Sequence, residues 1–290
     1  MHSDIVVLGV NGMLGSTLFK YFKEKTNYKV IGILRNKSNL PNYYKYYESI
    51  DLYEYNITEE KQLNDAIKRF NPDFIINCIG IVKQNIDSTN PFISIKINSL
   101  FPHLLNNICK LMNCKLIHIS TDCVFSGKTG FYSEKDNPDP IDLYGRSKLL
   151  GETLNDDALI LRTSYIGEEL TTNRGLLSWF LSQNDVVTGF SNAIYSGLPT
   201  IEIARVINEY VLPNQELSGL FHLSSEPIDK FNLLKFINKI YQKEIYIKKD
   251  ISYKINRSLD STKFRKETGY QPIEWEKAIE IMYESGRYNS

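Results

Sequence analysis

Short apolar runs recur along the first part of the chain, and most are followed by a longer stretch with apolar residues at helical spacing. One run, residues 73–79 (DFIINCI), is apolar almost throughout, which is typical of a strand buried on both faces of a parallel sheet. The other predicted strands are 5–8, 29–34, 49–55, 116–119 and 158–161. The helices between them end near Lys25 or cover 59–70 and 91–111. This alternation predicts an α/β fold with a doubly wound parallel sheet of the Rossmann type.

The pattern changes after Tyr165. Residues 185–195 are polar and are predicted to hold few strands, whereas 219–223 (GLFHL) is predicted to be a late strand. Helices are predicted at 172–183, from 197 to about 211, and at 228–241, 259–268 and 274–284. We therefore expect a sheet domain over residues 1–164 and a smaller, mostly helical lobe over 165–290. The chain should return to the sheet near 196–224.

Composition narrows the class of protein. With 290 residues, 42% of them apolar, the chain can bury a large core. The 34 Lys and Arg equal the 34 Asp and Glu, so nothing indicates a nucleic-acid partner or a charged membrane surface. No apolar run approaches the roughly 20 residues that span a bilayer, and the first strand begins too early for a signal peptide. We expect a cytoplasmic protein without a membrane partner.

Neither the cysteines nor the histidines indicate a metal site. The four cysteines, which form no C-x-x-C pair, are Cys78, Cys109, Cys114 and Cys123. His103, His118 and His222 lie in or beside apolar elements, where satisfied core histidines are the better interpretation. We therefore predict no bound metal.

A glycine-rich turn follows the first predicted strand directly. Gly9, Gly12 and Gly15 are spaced G-x-x-G-x-x-G and lead into a helix. Glycines at such a turn let the backbone approach a pyrophosphate, which the helix N-terminus attracts. The alternative is a glycine-rich connection that binds nothing. The residues predicted here to bind a dinucleotide are Gly9, Asn11, Gly12, Met13, Leu14 and Gly15.

The residue after the second predicted strand indicates which dinucleotide is bound. Sites that prefer NAD usually place Asp or Glu there, to hold the ribose 2′-hydroxyl. Here Arg35 occupies the place, and an arginine accommodates a 2′-phosphate. Arg35 is therefore predicted to contact NADP, although an ordinary exposed loop arginine is the alternative.

Residues 115–152 carry the densest candidate chemistry. Asp142 can cap a helix that holds Tyr144 and Lys148, and residues four apart share one helix face. A phenol beside an ammonium loses its proton more easily, so the pair is suited to proton transfer. The spacing alone is weak evidence, since Tyr21 and Lys25 repeat it in a helix predicted to be structural. The Ser-Thr strand end before Tyr144 and the glycine-rich turn distinguish the Tyr144–Lys148 pair.

Ligands of an open α/β sheet bind at the carboxyl ends of its strands. Cys78 and Gly80 lie at the end of the apolar run 73–79 and are predicted to contact the cofactor. Lys83 follows in the same loop and is a candidate substrate contact. A solvated loop residue is an equally good interpretation of Lys83.

In these motifs the chain resembles the extended short-chain dehydrogenases/reductases, and more specifically the dTDP-4-dehydrorhamnose reductase family. The segments that carry the resemblance keep the family's order and span nearly the whole chain. They are GVNGMLGS (9–16), FIINCIGIVKQ (74–84), IKINSLFPHLL (95–105), HISTDCVFSG (118–127), YSEKDNPDPIDLYGRSKLLGE (132–152), LRTSYIG (161–167), SGLPT (196–200) and SLDSTKFRKETGYQP (258–272).

The resemblance implies roles for individual residues. Tyr144 would act as the acid, with Lys148 as its partner and as a ligand of the cofactor ribose. Thr121 or Ser120 would hydrogen-bond the substrate carbonyl, and Asn98 would belong to a helix that lines the site. The glycine-rich turn would bind NADPH. The residues implied for the sugar side are Asp122, Val124, Tyr165 and Arg257.

The chain departs from the family on the sugar side. Cys123 stands where these reductases often carry Tyr, and Tyr165 stands where several carry Trp. The related dehydratases carry Asp-Glu directly after the threonine, whereas here Cys123 follows Asp122. The acid–base pair needed to eliminate water is therefore incomplete.

The resemblance implies an NADPH-dependent reductase of a nucleotide-activated 4-keto-6-deoxy sugar, in the synthesis of surface polysaccharide precursors. One alternative is a nucleotide-sugar epimerase. Another is a non-catalytic NADP-binding regulatory subunit, because the regulatory subunit of methionine adenosyltransferase resembles the same family. The nucleotide, the sugar and the product's C4 configuration stay open. The helix at 91–111 is equally compatible with a homodimer face and with burial within one chain.

Overall fold

A seven-stranded parallel sheet forms the centre of the protein. The structure is a computed structural model, and it describes residues 3–38, 51–82, 89–152, 157–170 and 174–286. The strands of the sheet are β1 (Ser3–Leu8), β2 (Val30–Leu34), β3 (Leu52–Glu54), β4 (Pro72–Asn77), β5 (Lys115–Thr121), β6 (Leu159–Thr163) and a last strand at Gly219–His222. Their spatial order is 3-2-1-4-5-6, with Gly219–His222 beside β6, and every neighbouring pair is parallel. The predicted doubly wound sheet is confirmed.

Helices cover both faces of this sheet. They are α1 (Met13–Lys25), α2 (Glu60–Phe70), α3 (residues 91–112), α4 (Leu143–Leu150), α5 (Leu176–Leu181), α6 (residues 200–211), α7 (Lys230–Ile240), α8 (Thr262–Thr268) and α9 (Trp275–Ser285). Alternate residues of β1 enter two separate cores: Ile5 and Val7 pack with α1, α6 and α8, whereas Val6 and Leu8 pack with α2 and α3. Burial on both faces explains why the predicted strands are continuous apolar runs.

Helix α3 begins and ends at asparagines. The Asn90 side chain caps its first turn by accepting hydrogen bonds from the backbone N–H groups of Phe92 and Ile93, and Asn113 ends it in the left-handed conformation. Between these ends, Ile95–Leu100 is π-helical. Such segments are frequent at functional sites. This one carries Asn98, whose side chain is buried against α4.

Short strands build much of the second part of the chain. Val187–Phe190 pairs with Ile247–Asp250, and Ala193–Tyr195 pairs with Ile228–Asp229 and Ile255–Asn256. The prediction that 185–195 holds few strands is therefore wrong. Each of these strands has two to four residues and finds its partner far along the chain, so no local pattern indicates it.

Two other features of this part bear on the sequence-based predictions. The late strand Gly219–His222 does join the main sheet, through parallel pairing with β6. The predicted helix at 172–183 is shorter, at Leu176–Leu181. Across the ranges that the structure describes, no helix is both long and apolar enough to cross a membrane.

Candidate active site

A cavity of about 500 Å³ opens at the carboxyl ends of β1, β4, β5 and β6. Open α/β sheets bind their ligands at this edge. The cavity is lined by residues 11–14, 78–80, 82, 119–123, 144, 148, 163–166, 169–170, 174–176, 195 and 230. The glycine-rich turn, the strand end at Cys78 and Gly80, and the Tyr144–Lys148 pair therefore share one site.

The glycine-rich turn packs closely against the start of α1. Gly9 has φ +82°, a conformation that favours glycine, and its carbonyl oxygen accepts a hydrogen bond of 2.9 Å from the N–H of Gly12. A Cβ on Gly15 would overlap the Gly9 carbonyl, so only glycine lets α1 start this close to the turn. No side chain caps α1 at Gly12, and its first N–H groups lie beside the cavity. Such a helix start attracts an anion.

Arg35 lies directly after β2 and is exposed. The loop that carries it is held from the neighbouring strand, because the Glu54 carboxylate accepts a hydrogen bond of 3.1 Å from the backbone N–H of Lys37. Since β2 neighbours β1, Arg35 stands at the same edge of the sheet as the glycine-rich turn. This is the edge at which a bound dinucleotide would place its adenosine ribose.

The Tyr144–Lys148 pair is positioned by α4. Asp142 caps the helix as predicted, since its carboxylate accepts a hydrogen bond of 2.8 Å from the N–H of Gly145. The Tyr144 side chain is hydrogen-bonded to the Thr121 hydroxyl at the end of β5. The buried Lys148 Nζ donates a hydrogen bond of 2.8 Å to the Ile119 carbonyl oxygen. The helix and the strand end thus hold the phenol, the hydroxyl and the ammonium together.

Burial decides the protonation of this pair. It raises the pKa of Tyr144 well above its usual value, and neighbouring Cys123 and Tyr165 act in the same direction. Burial therefore has the largest effect on the pKa of Tyr144, and the expectation that Lys148 favours the phenolate stays a prediction. Burial also lowers the pKa of Lys148 to about 8, against the opposing effect of Glu152. At neutral pH the site holds a protonated phenol and a mostly charged ammonium.

Ser120 has a different role from the one the resemblance allows. Its hydroxyl donates a short hydrogen bond to Glu152, although the residue also borders the cavity. Glu152 in turn holds Arg162, with 2.7 Å between Nη2 and Oε2, and both side chains are only 4% exposed. The Thr121 hydroxyl accepts a hydrogen bond of 3.1 Å from the Cys123 N–H and is bonded to Tyr144, and its contact with a substrate oxygen stays a prediction.

The predicted sugar-side residues are not all in the cavity. Asp122 and Tyr165 line it. Arg257 lies behind the wall, where its Nε donates a hydrogen bond of 2.9 Å to the Phe125 carbonyl and its Nη1 is 3.8 Å from the Cys123 sulfur. In this position Arg257 supports the loop that carries Cys123.

Two further predicted substrate contacts have different outcomes. Val124 is completely buried and packs in a small core with Phe125, Tyr132 and Leu259, so its side chain does not reach the cavity. Its predicted substrate contact is therefore corrected to a packing role. Lys83 lies outside the residues that the structure describes.

Asn98 is a positioning residue. Its amide nitrogen donates to the Ile81 carbonyl at 3.1 Å and to the Ser147 hydroxyl at 3.0 Å, and its amide oxygen accepts from the Ile81 N–H at 2.9 Å. These bonds fasten the loop after β4 to the helix that carries the Tyr144–Lys148 pair. The π-helical segment of α3 is what directs Asn98 to both.

Four charged or aromatic residues of the cavity are not predicted from the sequence. They are Glu169, Arg174, Tyr195 and Lys230. None stands in a motif or at the end of a main-sheet strand, and they come from the second part of the chain. The one local signal is Asp229, which caps α7 just before Lys230 by accepting a hydrogen bond from the Asn232 N–H.

The buried histidines, His118 and His222, are packing residues, and the His118 ring keeps one nitrogen without a hydrogen-bond partner in the described part of the chain. His222 Nδ1–H donates to the Tyr132 carbonyl at 2.9 Å, and burial lowers the pKa of His222 to about 4. His118 Nδ1 accepts from the Asn77 amide at 3.1 Å, while its Nε2 is buried without a partner. Among the described residues, no group of three or more His, Cys, Asp or Glu could hold a metal ion.

Several characterised or named proteins are similar to this chain. A probable low-salt glycan biosynthesis reductase from Haloferax volcanii is 32% identical over 231 residues, covering 76% of this chain and 74% of the relative. A dTDP-4-dehydrorhamnose reductase from Aggregatibacter actinomycetemcomitans is 25% identical, covering 95% and 96%. The methionine adenosyltransferase 2 subunit beta of Danio rerio is 27% identical, covering 79% and 71%.

The fold has solved counterparts. A dTDP-4-dehydrorhamnose reductase from Bacillus anthracis, solved in complex with NADP, superposes with a TM-score of 0.80 at 21% identity, covering 99% of this chain and 100% of that chain. At this identity the likeness concerns the fold alone. The family model of the RmlD substrate binding domain matches residues 2–287, and a match of that extent shows that this chain belongs to the RmlD substrate-binding-domain family.

Proposed function

We propose that this protein is an NADPH-dependent reductase of a nucleotide-activated 4-keto-6-deoxy sugar, in the synthesis of surface polysaccharide precursors. The observation that carries the proposal is the hydrogen-bonded Tyr144–Thr121 pair, with buried Lys148, in the same cavity as the glycine-rich turn. Family membership and the printed names of two relatives, a glycan biosynthesis reductase and a dTDP-4-dehydrorhamnose reductase, support it.

The residues present fit a dinucleotide cofactor. The uncapped start of α1, which borders the cavity, suits a diphosphate. Arg35 would contact a 2′-phosphate, and Lys148 would hold the nicotinamide ribose. Cys78 and Gly80, which border the cavity at the end of β4, would pack beside the nicotinamide.

The chain's own residues supply orientation and a proton. Thr121 and Tyr144 can both hydrogen-bond the carbonyl oxygen of a substrate. When bound, NADPH supplies the hydride that reduces the carbonyl carbon. Tyr144 donates its proton to the oxygen as negative charge develops there, and it can do so despite its raised pKa because an alkoxide is a stronger base than a phenolate. The Lys148 ammonium stabilises the resulting phenolate.

Arg35→Ala should weaken NADPH binding by roughly 10–100-fold and leave NADH binding nearly unchanged. The substitution removes a charge-assisted hydrogen bond that only the 2′-phosphate can accept. Both affinities are measured by quenching of protein fluorescence. Arg69→Ala, which removes an exposed arginine from α2, is the matched control. Equal losses for the two cofactors would show that Arg35 does not contact the phosphate.

The protein should not dehydrate a nucleotide hexose. The related dehydratases carry Asp-Glu after the threonine, whereas here Cys123 follows Asp122, and a thiol does not replace the missing glutamate as an acid. The assay incubates the protein with dTDP-glucose or UDP-N-acetylglucosamine and follows the 4-keto product by NMR. Appearance of that product, in a preparation that also reduces a 4-keto sugar, would refute the prediction.

Incubation with NADPH and a panel of nucleotide-linked 4-keto sugars tests the proposed function. A reductase consumes NADPH in proportion to the sugar reduced. An epimerase interconverts sugars without net consumption of NADPH. A regulatory subunit, the candidate favoured by the similarity to methionine adenosyltransferase 2 subunit beta, binds NADPH and turns over none of the sugars. The homodimer stays a prediction, which sedimentation of the purified protein would test.

A further inference from the structure

A cluster of three polar side chains lies where the second part of the chain borders the cavity. Lys230 Nζ is 4.1 Å from the centre of the Tyr195 ring. Antiparallel pairing of Ile228 with Tyr195 sets this distance, because Lys230 follows Ile228 by two residues. The Asp122 carboxylate, at the end of β5, is close enough to raise the pKa of Lys230 against the effect of burial. All three residues line the cavity.

The Tyr195 hydroxyl is the unusual member of this cluster. Tyr195 is 6% exposed, and its Oη is buried without a hydrogen-bond partner. Buried hydroxyls in native proteins nearly always have a partner, so an exception that borders a cavity indicates a partner that arrives with the ligand. The ring itself is fixed, since it packs against Trp275 and beneath the Lys230 ammonium.

The neighbouring charges are also those of a binding site. Burial lowers the pKa of Lys230 to about 8, so the ammonium keeps most of its charge at neutral pH. Burial raises the pKa of Asp122, while Arg257 opposes that effect. The cavity wall therefore carries one strong donor and one acceptor, and the Tyr195 hydroxyl is buried beside them without a partner among the described residues. A sugar ring with adjacent hydroxyl groups both donates and accepts hydrogen bonds and matches such a set.

We propose that Lys230 and Tyr195, together with Asp122, bind the ring hydroxyls of the sugar beside the reacting carbonyl and so select a sugar that carries a free hydroxyl there. The inference rests on the proposed function. Asp122 directly follows Thr121, which is hydrogen-bonded to Tyr144, so the cluster adjoins the place of proton transfer. A phosphate at this position would face the Asp122 carboxylate, which favours the sugar over the diphosphate as the group that Lys230 binds.

Binding measurements with two probes distinguish a contact of Lys230 with the sugar from a contact with the diphosphate. The probes are the nucleotide-linked 6-deoxyhexose that the wild type binds most tightly, chosen among dTDP, UDP and GDP forms, and the matching free nucleoside diphosphate. Calorimetry is performed with NADP⁺ present. Lys230→Met should weaken the nucleotide sugar by about 10–100-fold and leave the nucleoside diphosphate unchanged. Lys235→Met, an exposed lysine on the same helix outside the cavity, should change neither.

Tyr195→Phe tests the cluster without removing a buried charge. It keeps the ring under Lys230 and should weaken the nucleotide sugar by about 2–10-fold, with the thermal midpoint of the free protein unchanged or raised. A nucleotide sugar that lacks this ring hydroxyl should bind the wild type more weakly, whereas its affinity for Lys230→Met should change much less. With an accepted 4-keto substrate, both variants should raise KM more than they lower kcat.

Three outcomes would overturn the inference. An equal loss of nucleotide sugar and nucleoside diphosphate in Lys230→Met would place a phosphate at this lysine. Wild-type affinity for the sugar in both variants would show that the cluster does not contact it, and would leave the proposed function intact. A wild type that binds none of the nucleotide sugars would refute the proposed function itself. Tyr195→Phe decides the matter if Lys230→Met fails to fold.

Discussion

Replacing Tyr144 by Phe is expected to lower kcat by about 10²–10⁴-fold, while the affinity for NADPH stays close to the wild-type value. The substitution removes the hydroxyl that is hydrogen-bonded to Thr121 and lies one helical turn from Lys148, and it preserves the ring in the cavity wall. Loss of a positioned acid removes proton donation and leaves the binding surface in place. Steady-state kinetics and fluorescence titration with NADPH measure the two effects separately.

Two further variants serve as comparisons for Tyr144→Phe. Lys148→Met should reduce both kcat and NADPH affinity, because the ammonium borders the cavity and its expected role includes the cofactor ribose. Tyr21→Phe should change neither, although Tyr21 and Lys25 repeat the spacing, because both belong to α1 and neither lines the catalytic cavity. Near-full activity of Tyr144→Phe on a substrate that the wild type reduces would refute the assignment.

The largest loss of stability is expected from the buried ion pair behind Ser120. Glu152→Ala should lower the free energy of unfolding by about 3–5 kcal/mol. It leaves the Arg162 guanidinium buried against the His222 ring and the Phe125 face, neither of which carries a negative charge. The Ser120 hydroxyl loses its acceptor at the same time. Urea denaturation, followed by circular dichroism, measures the change.

A matched pair of controls separates burial from charge. Glu280→Ala breaks an ion pair of 3.0 Å with Lys277 on the exposed face of α9 and should leave stability nearly unchanged. The double variant Glu152→Leu/Arg162→Met removes both buried charges and should recover most of the loss. A small effect of Glu152→Ala would mean that Arg162 finds solvent or another partner, contrary to its 4% exposure.

How far the sequence predicts the fold differs between the two parts of the chain. The main sheet is predictable because its central strands are buried on both faces, which makes β1 and β4 largely apolar runs. The short strands of the second part are not, because Val187–Phe190 and Ile247–Asp250 are partly exposed and too short to show a period of two. Their pairing depends on where the chain leaves the main sheet, and no local sequence pattern encodes that position.

The candidate site likewise has one part that the sequence predicts and one part that it does not. By itself the sequence determines the glycine-rich turn and the Tyr144–Lys148 pair, because in both the functional groups lie within one turn of each other and the local backbone sets their geometry. Only the tertiary structure decides that Thr121 rather than Ser120 meets Tyr144, that burial raises the pKa of Tyr144, and that Tyr195 and Lys230 join the cavity. Partners and solvent exposure depend on segments far apart in the chain, so they exist only once those segments have packed together.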